Sequence, residues 1–93
     1  MNNIDKKIAL VLAIQELSIR ITNNSNADVF CDYSGHTNGL SIRVCLDGWQ
    51  HDNPKFDFTK IIYLDRNNVK ELEEVLGYLK SIKGGKTDEI NSI

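Results

Sequence analysis

The chain has 93 residues, of which 41% are hydrophobic and 26% charged, with a net charge of −2 and a single proline. This length allows one small domain with a thin core, and the composition is typical of a globular protein rather than a disordered or fibrous one. A slightly acidic chain lacks the excess of Lys and Arg that binding to duplex nucleic acid requires, so nucleic acid is a poor candidate partner.

Cysteine content and hydropathy indicate the cellular compartment of the protein. Two cysteines are too few for a disulfide scaffold, and their spacing matches no zinc motif, which favours a reducing compartment. The longest apolar run, residues 8–14, has seven residues, against about 20 for a membrane span. No cleavage site for a signal peptide follows the first residues. We therefore expect a cytoplasmic protein without a membrane segment.

Residues 4–22 have helical periodicity with an unusually wide apolar side. At 100° per residue the apolar arc covers about 220°, whereas a surface helix needs only about 100°. One sheet face cannot cover such an arc. Either a second helix of the same chain covers the rest, or a second copy does so across a twofold axis, giving a homodimer through this helix. The apolar residues form two stripes: Leu10, Ile14, Leu17 and Ile21, and Ile4, Ile8, Val11, Leu12 and Ile19.

Two segments after this helix predict a β-hairpin. Residues 27–34 and 40–47 alternate apolar and polar side chains, as half-buried strands do. Asn38-Gly39 between them is the strongest short hairpin signal, and it predicts a two-residue type I′ turn. That turn places the apolar side chains of both strands on the same face.

The predicted register decides where the cysteines lie. It pairs Tyr33 with Val44 and places Cys31 on the apolar face and Cys45 on the opposite face. A disulfide needs side chains that face each other, so we expect two free thiols. The register pairs Cys31 with Leu46, Thr37 with Leu40, Gly35 with Ile42, His36 with Ser41, and Asp32 with Cys45.

The two histidines give little indication of a metal site or a catalytic site. His36 lies in the hairpin and His51 follows the second strand, so they are about 20 Å apart, too far to share a zinc ion. His36 is also too distant from Cys45 for a nucleophilic Cys–His pair. The chain contains no glycine-rich phosphate loop and no nucleophile motif. We expect no catalytic residues, no metal and no cofactor, and hence no enzyme.

Residues 56–64 predict a third strand after a loop over residues 47–55. Lys60 interrupts its apolar face. A bulge near Thr59 could turn this lysine outward, or it could be an inward-pointing charge that protects a sheet edge. Both alternatives predict an edge strand.

A second helix begins after Asn68, which forms a capping-box-like start with Glu71, and ends at Gly84. Residues 86–93 are predicted to be a flexible polar tail, and residues 1–85 a single domain. The element order is α-β-β-β-α. We expect an α+β fold with a three-stranded antiparallel meander and two helices packed on one face.

This fold leaves the sheet face opposite the helices uncovered, and we call it the outer face. Its predicted side chains mix aromatic rings with charges, the composition of a protein-binding surface. A solvated face with a few exposed apolar residues would look similar, and the loop carrying Trp49 and Pro54 could also fold back over the edge of the core. The candidate partner-binding residues are Asp28, Phe30, Asp32, Arg43, Asp47, Trp49 and Tyr63.

Residues 29–49, "VFCDYSGHTNGLSIRVCLDGW", resemble small uncharacterised accessory proteins of phages and prophages of Gram-positive bacteria. The resemblance implies a small accessory protein, and some such proteins bind and block a host defence enzyme. The leading hypothesis is a non-enzymatic protein-binding module, a phage-encoded inhibitor of a host protein such as a nuclease. One alternative is a single-stranded nucleic-acid accessory protein that uses Lys80, Lys83, Lys86 and the sheet aromatics. Another is a homodimeric small-ligand binder or enzyme with a site at its interface.

Overall fold

A computed structural model describes residues 4–66 and 68–82. The predicted element order and α+β class are confirmed. Gly84, the predicted end of the second helix, and the predicted tail lie outside the described residues. The elements are α1 (Ile4–Asn24), β1 (Asp28–Ser34), β2 (Gly39–Cys45), β3 (Phe58–Tyr63) and α2 (Val69–Lys80).

The three strands form an antiparallel sheet in the order β1-β2-β3, so β2 is central and the other two are edges. Alternation along β2 sends its apolar side chains to one face, where both helices pack. The core therefore lies between one sheet face and the helix layer. Its fully buried side chains are Ile14, Ile21, Leu40, Ile42, Val44, Ile62, Leu72 and Leu79.

The first helix continues two residues beyond its predicted end. The side-chain amides of Asn23 and Asn24 each donate a 2.7 Å hydrogen bond to a backbone carbonyl one turn earlier, at Ile19 and Arg20. Both carbonyls lie within α1, where the backbone N–H four residues later also bonds them, so each side-chain amide adds a second hydrogen bond. Two asparagines of the predicted turn therefore belong to the last turn of the helix.

The hairpin is confirmed, but its predicted turn and register are wrong. The turn has four residues, 35–38, and Tyr33 pairs with Leu40 rather than with Val44. The shift is even, so each side chain keeps its predicted face. The other predicted pairs move accordingly: Cys31 lies opposite Ile42, Asp32 opposite Ser41, Asp28 opposite Cys45, and Gly35, His36 and Thr37 lie in the turn.

Local and long-range contacts favour the longer turn. Asn38 adopts the left-handed conformation expected of an Asn-Gly pair, with φ of 54°. The hydroxyl of Tyr33 donates to its Oδ1 at 2.6 Å, and its carbonyl accepts the N–H of Leu64 at 2.9 Å. Leu64, the residue that follows β3, therefore stabilises the turn between β1 and β2.

The third strand begins at Phe58, two residues later than predicted, and pairs with β2 without interruption. Lys60 stays on the inner face opposite Ile42, and its Nζ lies 3.7 Å from a carboxylate oxygen of Glu71 on α2. The bulge alternative is therefore wrong. Lys60 is an inward-pointing charge at the β3 edge.

The second helix packs over β3 through stacked rings of Phe58 and Tyr78, whose centroids are 4.4 Å apart. Its predicted capping box does not form, because the Asn68 side chain makes no cap hydrogen bond. The Asn68 amide donates instead to the carbonyl of Tyr63, where the chain leaves the sheet.

The first helix contacts both β1 and α2, which accounts for part of its wide apolar arc. Lys7 of this helix is buried, and its Nζ donates hydrogen bonds to the backbone carbonyls of Leu64, at 2.6 Å, and of Arg66.

Among the described residues, no helix combines the length and the hydropathy needed to cross a membrane. Three large apolar residues of the helix are exposed, and we call them the α1 stripe: Ile8, Leu12 and Ile19, which are 46%, 64% and 55% exposed.

Candidate functional site

The centre of the outer face is a cluster around Arg43. Phe30 of β1 lies opposite Arg43 of β2, and the ring centroids of Phe30 and Phe56 each lie 5.2 Å from the guanidinium carbon. The two rings meet edge to face, with centroids 6.2 Å apart. A carboxylate oxygen of Asp32 lies 3.7 Å from Nη2 of Arg43. We call these four residues the Arg43 cluster.

The cluster holds the guanidinium of Arg43 in place. A cation over an aromatic face is attracted by the ring quadrupole, and Arg43 has a ring on each of two sides. Its Nε is buried and has no hydrogen-bond partner among the described residues. Packing, rather than a strong ion pair, therefore fixes this side chain, since the contact with Asp32 is long and exposed.

The loop after β2 folds back onto the sheet through hydrogen bonds from backbone N–H groups to aspartate side chains. Oδ2 of Asp28 accepts the N–H of Trp49, and Oδ2 of Asp57 accepts the N–H of Leu46, both at 2.7 Å. Between them Gly48 has a φ of 91°, which favours glycine. Asp28, a predicted contact residue, is therefore a structural acceptor that positions the loop.

Trp49 is the large aromatic side chain that this loop presents, and it is 42% exposed. Its ring lies edge to face against that of His51, with centroids 5.6 Å apart. Asp47 is exposed beside it. An open cleft of about 550 Å³ continues from this point, lined by Asp47, Gly48, Gln50, His51, Asp52, Asn53, Lys55 and Asp57.

Both cysteines are free, as predicted. Cys45 is on the outer face but only 1% exposed. Burial, and then the charges of Asp28 and Asp57, raise its pKa above the ordinary range. Burial likewise raises the pKa of Cys31 on the other face of the sheet. Both thiols therefore stay protonated at neutral pH, which disfavours nucleophilic chemistry.

Tyr63 does not join the Arg43 cluster. It pairs with Gly39, four residues along β2 from Arg43 and hence about 13 Å away. The guanidinium carbon of Arg66 lies 4.9 Å from its ring centroid. Ile61, 55% exposed on the same face, lies between these two parts. The predicted site is thus extended, with aromatic side chains at its centre and at both ends.

The cluster contains one residue that sequence reasoning placed elsewhere. Phe56 was predicted within β3 and on its inner face, but it lies in the loop and packs against Phe30 and Arg43. Pro54, two residues earlier, is a signal for a loop or strand boundary. Pro54 is thus the sequence signal that places Phe56 before the strand.

The basic residues of the nucleic-acid alternative lie away from these aromatic rings. Lys80 is exposed at the end of α2, which packs on the inner face. Lys83 and Lys86 lie outside the described residues. His36, exposed in the hairpin turn, is at the opposite end of β2 from His51. Within residues 4–66 and 68–82, no group of three or more His, Cys, Asp or Glu side chains is arranged to hold a metal ion.

These features define a two-layer α+β domain whose outer sheet face combines aromatic rings, one held arginine and several acids. Comparisons with protein-family models, with curated proteins and with solved structures find no match to the chain.

Proposed function

We propose that this protein is a non-enzymatic binding module that captures a partner protein on the outer face of its sheet. The observation that carries the proposal is the Arg43 cluster, where two aromatic rings order a guanidinium on an otherwise acidic face. The resemblance of residues 29–49 to phage accessory proteins suggests the partner class, a host defence protein such as a nuclease.

Exposed anchors support this function. Trp49, Phe56 and Ile61 are large apolar side chains that remain partly in water on or beside the outer face. Trp, Tyr and Arg are the residues that most often dominate binding energy at protein interfaces. Because Arg43 is already held by Phe30 and Phe56, binding through it costs less conformational entropy than binding through a free side chain.

The charge of this surface suggests the chemistry of the partner. Asp32, Asp47, Asp52 and Asp57 are exposed around the aromatic residues, whereas the nearby cations are Arg43, Lys55 and, beside Tyr63, Arg66. An acidic face with aromatic anchors complements a basic groove of the kind that binds nucleic acid in a nuclease. We therefore expect a partner with a basic surface and an association rate that falls as salt is added.

Affinity capture tests the proposal. Tagged full-length protein is incubated with a lysate of a Gram-positive bacterium, and the captured proteins are identified by mass spectrometry. We expect one stoichiometric host protein with the wild type and none with Phe30→Ala, Trp49→Ala and Tyr63→Ala combined. Circular dichroism and thermal unfolding show whether the variant keeps its fold.

A matched triple variant controls for nonspecific effects. Lys70→Ala, Glu73→Ala and Glu74→Ala change three exposed residues of α2, on the opposite layer, and should leave capture unchanged. Unchanged capture by the folded aromatic variant would contradict the outer-face proposal. A salt-sensitive gel shift of the wild type with single-stranded DNA or RNA would favour the nucleic-acid alternative instead.

A further inference from the structure

The α1 stripe lies on the side of α1 that faces away from α2. At 100° per residue, Ile8, Leu12 and Ile19 fall within about 40° of one another, and about 140° from Lys6. Nζ of Lys6 lies 3.7 Å from Glu73 of α2, which fixes the direction of the second helix. The stripe therefore borders the β1 edge of the domain.

Among residues 4–66 and 68–82, no strand lies beside the neighbouring edge of β1. Oγ1 of Thr22 accepts the N–H of Val29 at 3.0 Å, so this N–H points away from β2. Because backbone direction alternates along a strand, the N–H and C=O groups of Cys31 and Tyr33 also point outward. Free edges are usually blocked by lysine, proline or inward-pointing charge. Lys60 protects β3 in this way, but β1 contains neither lysine nor proline.

We propose that two copies of this chain form a dimer by pairing their β1 edges antiparallel and packing α1 against α1 across a twofold axis. The proposal is independent of the proposed function. It joins two three-stranded sheets through the last three residues of β1, and it covers the α1 stripe and this end of the free edge at the same time.

Contacts between α1 and β1 place the axis beside Tyr33. Thr22 lies against Val29, and Ser18 hydrogen-bonds Cys31, so the helix advances four residues for every two of the strand. Tyr33 is therefore level with Ile14. An axis there lets the Tyr33 N–H of each copy donate to the Tyr33 carbonyl of the other, and leaves the bond between Val29 and Thr22 intact.

Charge favours this register over its neighbour. With the axis at Tyr33, Asp32 of one copy lies opposite Ser34 of the other. An axis one residue earlier would place the two Asp32 carboxylates directly opposite each other, and like charges in that position destabilise a strand pair.

At the level of Tyr33, α1 presents a row of side chains, here called the seam, that can pack against the same row of a second copy. Ile8, Leu12, Gln15 and Ile19 follow a four-three-four spacing, as in helices that pack side by side. In an antiparallel pair centred near residue 14, Ile8 lies opposite Ile19. Asp5 and the Glu16–Arg20 pair, whose Oε2 and Nε atoms are 2.8 Å apart, lie on the solvent side of the seam.

The area is sufficient for a stable dimer. A helix of 21 residues is about 31 Å long, and helix and sheet together are about 20 Å high, which gives roughly 600 Å² on each copy. The total of about 1,200 Å² exceeds the roughly 1,000 Å² expected of a specific interface. An axis perpendicular to the sheet puts both outer faces on the same side of the dimer.

Light scattering on the full chain across a dilution series tests the dimer with two matched variants. Ile19 and Ile61 are both isoleucines and both 55% exposed, but only Ile19 is in the proposed interface. We expect twice 10.5 kDa for the wild type and for Ile61→Glu, and 10.5 kDa for Ile19→Glu. A wild type of 10.5 kDa at every concentration, or a dimer unchanged by Ile19→Glu, would overturn the proposal.

Amide hydrogen exchange tests the strand contact. The Tyr33 N–H should exchange more slowly at concentrations where the dimer forms, whereas the Val29 N–H, already bonded to Thr22, should not change. Exchange at Tyr33 that does not depend on concentration would overturn the pairing of β1 with β1.

Discussion

Oδ2 of Asp28 accepts the backbone N–H of Trp49 at 2.7 Å, a bond between the first residue of β1 and the exposed tryptophan of the loop. The two residues are 21 positions apart in the chain. The position of Trp49 is therefore determined by the sheet and not by the loop alone. The proposed binding surface therefore depends on hydrogen bonds made within the domain as well as on its exposed side chains.

Replacing Asp28 with alanine should loosen the loop and lower stability by about 1 kcal/mol, because one hydrogen bond to a charged acceptor is lost. Trp49 is the single tryptophan, so its fluorescence reports the loop directly. We expect its emission to move to longer wavelength before the fold unfolds in urea. Asp32→Ala is the matched control and should cost less than about 0.5 kcal/mol, since its ion pair is long and exposed. Equal effects of the two variants would contradict this role of Asp28.

Gly48→Ala should destabilise the protein by about 1–2 kcal/mol, because the residue has a φ of 91° and an added Cβ would lie 3.2 Å from the carbonyl oxygen of Asn26. Gly35→Ala is the control. An added Cβ there meets no atom within 4 Å, so stability should change little or rise slightly. Urea unfolding of both variants measures the difference, and an equal loss in both would refute the strain argument.

Lys7→Met should destabilise the protein by about 1–3 kcal/mol, since two carbonyl groups lose the donor that they share. The substitution keeps a long side chain, so the effect reports the lost hydrogen bonds more than a cavity. Lys6→Met is the control, because Lys6 is exposed and its ion pair with Glu73 is long. Thermal unfolding that ranks Lys6→Met as the more damaging change would show that the buried ammonium is dispensable.

Stability should fall at alkaline pH. Burial, together with Asp28 and Asp57, raises the pKa of Cys45 above the ordinary value of 9.0, and burial raises the pKa values of Cys31 and Tyr78. The unfolded chain ionises these groups first, so their stabilising effect is complete below about pH 9 and is lost as pH rises through the folded-state pKa values. Urea midpoints measured across that range should fall less steeply for Cys45→Ala than for the wild type. Parallel pH profiles would show that Cys45 does not contribute.

The fold was predictable because side-chain alternation survives an error in register. The predicted and observed partners of Tyr33, Val44 and Leu40, are four residues apart on β2, and an even shift keeps every side chain on its face. Alternation alone cannot separate a two-residue turn from a four-residue turn. The choice is made by the hydrogen bonds of Asn38 with Tyr33 and with Leu64, of which the second joins residues 26 positions apart in the chain.

The site was predictable only where it lies on strands. Phe30 and Arg43 follow from alternation, whereas Phe56 joins them because hydrogen bonds fold its loop back onto the sheet. Those bonds join Asp28 to Trp49 and Asp57 to Leu46, and no short sequence pattern encodes such distant pairs. Asp28 and Asp57, which the sequence suggests are surface charges, accept these hydrogen bonds and so hold the loop on the sheet.

The buried hydrogen bond from Lys7 to Leu64 also has a consequence for folding during synthesis on the ribosome. The two residues are 57 positions apart, so the first helix emerges long before its acceptor is synthesised. During that interval α1 can pack on β1, but the ammonium of Lys7 remains without its acceptor. Translation must pass Leu64 before this buried hydrogen bond can form, so the docking of α1 stays incomplete while the three strands are being made.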